Sequence, residues 1–225
     1  MGMRITIEQV AKADLFSAMS LDEVKELLSK TGMVIKHFHK NDYIFLAGDA
    51  IDYLCVLVDG SVQIIKENAK GDKSIIGNID SGGSFGENGL AKQGSTSNVS
   101  YLATKNCEVL MVPFARMNMN VINNQAISSK FFMSIIAQIA KQNLGLVEKV
   151  EILGRKTLRG KIMAYLEKQS RINNSSTVVL PFNRTDLANY LDADRSAMTR
   201  ELYRMQDEGI LEIEKNKFTI LGKDE

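Results

Sequence analysis

Residues 33–113 carry short β-type runs with no helical segment between them, and residues 124–153 then carry helical spacing without a proline. That single change of period constrains the fold more than any other feature of the chain. The runs include Val34-Ile35-Lys36-His37-Phe38, Leu54-Cys55-Val56-Leu57-Val58, Val62-Gln63-Ile64-Ile65 and Val109-Leu110-Met111-Val112. Turn signals divide them at Gly48-Asp49, Asp59-Gly60, Lys70-Gly71-Asp72 and Ser81-Gly82-Gly83. Strands this short and this closely spaced predict an antiparallel barrel or jelly-roll. Ahead of them, Ile7 to Lys30 has helical spacing, with Ser20 placed to cap a helix at Leu21-Asp22-Glu23.

The helical segment spans about 45 Å if formed throughout, longer than one small domain needs. Phe132, Ile135, Ile139, Leu146, Val150 and Leu153 recur at three- and four-residue spacings, with Gln142 interrupting the row. Ile136, Ala140 and Val147 widen the stripe. A stripe of this length predicts a partner helix, most simply the same helix of a second copy. Gly154 to Thr157 breaks the pattern and sets a domain boundary. Thr157 is placed to cap a further helix from Leu158 to Lys168, and the polar run Ser170–Thr177 leads onward.

Residues 183–205 read as two capped helices about a tight turn. Asn183 caps the first, with Asp186 three positions later and Leu187 and Leu191 on its buried side. Asp192 stands where the turn needs positive φ, and Asp194 caps the second helix. Ala197, Met198, Leu202 and Met205 form the inner face of that helix; Arg195, Ser196, Thr199, Arg200 and Arg204 form the outer one, beside Glu201. Gly209 ends the segment, and Ile210–Ile213 and Phe218–Ile220 alternate around Lys215-Asn216-Lys217 as a hairpin. Helix, helix and wing together point to duplex DNA. Arginine in the first turns of such a helix can bond guanine O6 and N7 bidentately.

Bulk charge is nearly silent. Net charge is +1; residues 1–153 carry 15 Lys and Arg against 16 Asp and Glu, and residues 154–225 carry 13 against 11. The case for DNA therefore rests on placed side chains. With 44% hydrophobic and 24% charged residues the composition is that of a globular protein. No apolar run reaches membrane-spanning length and no secretory signal pattern opens the chain, so a cytoplasmic protein without a membrane partner is expected. Cys55 and Cys107 both lie in apolar runs, as small buried hydrophobes would. His37 and His39 alternate on one strand face without a third ligand nearby, so no metal site is expected. No nucleophile–base pairing or phosphate loop marks an enzyme; Gly82-Gly83-Ser84-Phe85-Gly86 lacks the strand–loop–helix setting.

Over nearly its whole length the chain resembles the CRP/FNR superfamily of bacterial transcription regulators. The β-region carries the family's order in Gly48-Asp49, Leu57-Val58-Asp59-Gly60-Ser61-Val62, Gly71-Asp72 and Gly83-Ser84-Phe85-Gly86-Glu87. The C-terminal half carries it in Arg184-Thr185-Asp186-Leu187-Ala188 and Asp194-Arg195-Ser196-Ala197-Met198-Thr199-Arg200-Glu201-Leu202. The resemblance implies an α+β architecture: a cyclic-nucleotide-binding-like antiparallel β-roll over 1–123, a dimerisation helix over 124–154, and a winged helix-turn-helix over 155–225. It implies a homodimer reading a near-palindrome, with Arg200 as guanine reader and Arg195, Ser196 and Thr199 at the other base-contacting positions. Arg155, Lys156, Arg184, Arg204, Lys215 and Lys217 would touch phosphates. RNA polymerase stays open as a further partner.

The effector pocket implied by the resemblance comprises Gly86, Glu87, Asn88, Ser97, Asn98, Leu146 and Val147. Here the chain departs from cyclic-AMP binders: Ser97 stands at the position of the phosphate-binding arginine, and Leu146 and Val147 replace hydroxyls on the helix. No cyclic-AMP response is expected, and two cysteines cannot hold the family's iron–sulfur cluster. Haem and apolar or aromatic small molecules remain open as effectors. Glu87 itself reads as a structural carboxylate clasping neighbouring backbone N–H groups. A signalling subunit that binds a nucleotide and uses its C-terminal half to hold a protein is the alternative reading.

Overall fold

The computed structural model describes residues 6–68, 73–90, 94–117 and 124–222. The expected turn at Lys70-Gly71-Asp72 lies outside them. The chain forms two compact units, Met1–Asn143 and Leu144–Glu225. The division falls inside the long helix, ahead of the Gly154 boundary expected from sequence.

The first unit opens with two helices, α1 (Ile7–Val10) and α2 (Leu21–Thr31), joined through a 3₁₀ turn at Asp14–Phe16. Ser20 caps α2 in a full capping box: its hydroxyl accepts from Glu23 N while the Glu23 carboxylate accepts from Ser20 N at 2.8 Å. Among the described residues eight strands follow: β1 (Val34–Phe38), β2 (Tyr43–Phe45), β3 (Tyr53–Asp59), β4 (Ser61–Glu67), β5 (Lys73–Asp80), β6 (Ser84–Phe85), β7 (Ser100–Ala103) and β8 (Cys107–Pro113). They form two antiparallel four-stranded sheets in the orders β1-β8-β3-β6 and β2-β7-β4-β5.

β3 and β8 are apolar without alternation because both of their faces are buried. Leu54, Val56, Leu110 and Val112 face a helical layer containing Val24, Leu27, Ile127 and Phe131. Cys55, Leu57, Val109 and Met111 face the second sheet, in one cluster with its Val62 and Tyr101. Successive strand side chains point to opposite faces, so one apolar run serves two cores.

α3 (Gln125–Leu153) runs from the first unit into the second. The structure corrects the expected dimer stripe here. Ile135 is 3% exposed and packs with Ile127 and Phe131 on its own β-domain, and Phe132 packs against the same cluster. Ile136, one residue on and about 100° round the helix, is 57% exposed. Met133 and Ile139 are also exposed on the first-unit part of α3, and Leu144, Leu146, Val147 and Val150 on the second-unit part. Leu153 is half-buried.

In the second unit, α4 (Leu158–Asn173) begins at the Thr157 cap and extends past Ser170 into the stretch expected to be a connector. β9 (Thr177–Val179) follows, then α5 (Arg184–Tyr190), α6 (Arg195–Asp207), β10 (Leu211–Glu214) and β11 (Lys217–Ile220). The three strands form an antiparallel sheet in the order β10-β11-β9. Tyr165, Phe182 and Tyr190 pack ring against ring with centroids 4.9–6.1 Å apart, and Met198, Leu202 and Met205 of α6 are buried. Among the described residues, no helix is long and apolar enough to cross a membrane.

Candidate nucleic-acid interface

Two N-caps fix α5 and α6. Asn183 Oδ1 accepts from Asp186 N at 2.9 Å, and Asp194 Oδ1 accepts from Ala197 N at 2.8 Å. Between the helices Asp192 adopts φ of 50°, as the tight turn requires. Burial of Met198, Leu202 and Met205 then turns Arg195, Ser196 and Arg200 to the exposed side. Thr199 is half-exposed and its hydroxyl donates to the Arg195 carbonyl at 2.9 Å.

Glu201, beside this face, shares its carboxylate between Arg159 of α4 and Arg204. Arg159 on α4 donates to Glu201 at 2.7 Å and to Glu208 at 2.6 Å, and these bonds hold the Glu208 carboxyl below its usual range. Among the described residues no carboxylate partners Arg195 or Arg200. Arg159 was not singled out from sequence, because nothing in its spacing distinguishes it from any surface arginine.

The expected phosphate contacts divide. Arg155, Lys156, Lys215 and Lys217 are exposed. Arg204 is exposed and 3.6 Å from Glu201. Arg184 is engaged with the wing: Nη2 donates to the Lys215 carbonyl at 3.0 Å, and the guanidinium lies 4.7 Å over the Phe218 ring.

In the first unit, Gly86 turns the chain at φ of 89°, where a Cβ would meet the Tyr53 carbonyl at 2.7 Å. Glu87 follows, buried. Its carboxylate accepts from the Ser84 hydroxyl and, at 2.9 Å, from the Gln142 amide of α3. Among the described residues, side chains rather than backbone N–H groups clasp it, which corrects the expectation. Asn88 and Asn98 are exposed. Ser97 is 2% exposed and its hydroxyl donates to the Val99 carbonyl at 2.6 Å, closing on its own backbone. Gly86 and the 94–98 loop both approach the segment 48–53, the loop through Ile51 N to Ser95 O and Ser97 N to Asp49 O. Leu146 and Val147 belong to the second-unit part of α3.

Cys55 and Cys107 are both buried, and burial pushes both thiols up. His37 lies 3.4 Å from Glu108 and His39 3.7 Å from Asp42. Among the described residues no group of three His, Cys, Asp or Glu could hold a metal.

Comparison with known proteins matches residues 35–120 to the cyclic nucleotide-binding domain and residues 160–225 to the Crp-like helix-turn-helix domain. The cAMP-activated global transcriptional regulator Vfr of Pseudomonas aeruginosa is 24% identical over 201 residues, covering 84% of this chain and 92% of Vfr. The c-di-GMP responsive global regulator CLP of Xanthomonas campestris shares the fold at a TM-score of 0.76 and 20% identity, covering 91% of this chain and all of that one. A CooA variant from Carboxydothermus hydrogenoformans aligns at a TM-score of 0.71 and 12% identity, over 98% and 93% of the two chains.

Proposed function

The chain belongs to the CRP/FNR family of transcription regulators, and from that premise we propose that it is a homodimer reading a near-palindromic DNA site under the control of a small effector. The observation that carries the reading is the recognition face of α6: Arg195 and Arg200 stand exposed while the neighbouring Glu201 is held by Arg159. In this reading Arg200 reads guanine, Arg195, Ser196 and Thr199 complete the base contacts, and Arg155, Lys156, Arg184, Arg204, Lys215 and Lys217 position the domain on phosphates. The exposed apolar side chains of α3 support pairing with a second copy, so that two recognition helices meet half-sites about one helical turn apart. This is a regulator and not an enzyme.

The effector is a ligand other than cyclic AMP. Ser97 supplies no cation for a cyclic phosphate and its hydroxyl is closed on the backbone. Micromolar binding of cyclic AMP by calorimetry would overturn this part.

Selection of random duplex DNA by the purified protein, with Arg200→Ala alongside, tests the whole. A palindrome that is lost or relaxed in the variant supports it. A site lacking guanine at the contacted position removes the role of Arg200, and capture of a protein partner without any duplex retention would favour a signalling subunit.

A further inference from the structure

Between α6 and the wing lies a cavity of about 270 Å³. Its wall carries two cations, Arg184 and Lys215, and three neutral polar side chains, Thr199, Tyr203 and Gln206, with no carboxylate among them. Arg184 is half-buried, and among the described residues it has no acidic partner; its contacts are the Lys215 carbonyl and the Phe218 ring. A half-buried guanidinium without a counter-charge favours an anion beside it. Lys215 sits in the hairpin turn at φ of 55°, exposed.

The neutral donors can be separated by what they already bond. Thr199 has given its proton to the Arg195 carbonyl. Tyr203 is 65% exposed and lines the same cavity as Arg184. Thr199 borders both the cavity and the base-reading positions, so an anion seated here lies at the edge of the groove that α6 would enter.

We infer that this cavity seats one phosphodiester of the DNA backbone, with the Tyr203 hydroxyl and the Gln206 amide as neutral donors and Arg184 and Lys215 as the charges. The inference rests on the DNA-binding reading above and adds Tyr203 and Gln206 to it. A phosphate fixed there positions α6 without reading sequence.

The test is equilibrium binding of the full chain to a fluorescent duplex of arbitrary sequence, titrated with salt from low ionic strength. Tyr203→Phe should weaken binding by about three- to tenfold, the range one hydrogen bond carries. It should leave the slope of log K against log salt unchanged, because a hydroxyl releases no counterion. Lys215→Gln should lower that slope by about one. Inorganic phosphate should compete no better than chloride at equal ionic strength. Stronger competition by phosphate, lost in Tyr203→Phe, would reassign the cavity to free phosphate and overturn the inference. Wild-type retention of duplex with Tyr203→Phe unaffected overturns it too, while leaving the DNA-binding reading standing. No retention by the wild type even at low salt overturns both.

Discussion

Nε2 of Gln142 lies 2.9 Å from Oε1 of Glu87, so the residue that breaks the apolar row of α3 satisfies a buried carboxylate in the turn after β6. The same amide also donates to the Ser84 carbonyl at 3.2 Å. Gln142→Leu would regularise the helix by pattern, yet it strips Glu87 of one of its two donors. Leaving a buried carboxylate short of a partner costs about 1–3 kcal/mol. Urea unfolding of Gln142→Leu should show that loss, and Glu87→Gln added to it should cost less than the two changes made separately. A Gln142→Leu protein as stable as the wild type would remove the clasp from the account.

Ile135 and Ile136 are neighbours in sequence with opposite surroundings. Ile135→Ala should cost about 2–5 kcal/mol of unfolding free energy, because it opens a cavity beside Phe131 in the β-domain core. Ile136→Glu should leave the fold intact and shift sedimentation toward a monomer, since a charge would enter the interface proposed for the exposed apolar side chains. Dimers that survive Ile136→Glu would move the interface off this face.

That pair also shows how far the fold was legible. Period and caps identified α2, α5, α6 and the wing, because Ser20, Asn183 and Asp194 bond the N–H groups that their spacing requires. The two-period change separated roll from helix. The phase of α3 was not legible: its apolar residues serve the β-domain on one side and stand exposed on the other, and a stripe does not reveal which side is covered. The clasp on Glu87, the hold of Arg159 on Glu201 and the place of Tyr203 join residues 42–55 positions apart or depend on the wing's approach to α6. No local pattern encodes such contacts.

Arg159 holds one carboxylate oxygen of Glu201 at 2.7 Å. Arg159→Ala should release that carboxylate toward Arg204, already 3.6 Å away, and place a negative charge beside the DNA. Affinity for specific and arbitrary duplexes should fall together, and the fall should be recovered by Glu201→Gln in the same chain. Binding measured by fluorescence anisotropy at two salt concentrations decides it; no recovery by the second change would assign the effect to α4 packing instead.

Lys149 of α3 is 8% exposed, with Nζ 4.1 Å from the Tyr190 ring centroid in the second unit. Burial lowers its pKa to about 8, with Asp192 acting in the opposite direction. The folded value thus lies below the unfolded 10.5, so between the two the unfolded chain binds more protons and stability rises with pH. Below about pH 8 the charged amine is present in both states and the cost of burying it is felt in full. Unfolding free energy measured at pH 7.5 and pH 9.5 should therefore rise by about 1–2 kcal/mol more in the wild type than in Lys149→Met. The difference between the two proteins cancels the other lysines and the tyrosines, whose raised values act in the opposite direction at higher pH. Equal pH dependence in the two would mean that the face of Tyr190 stabilises the ammonium enough to offset its burial.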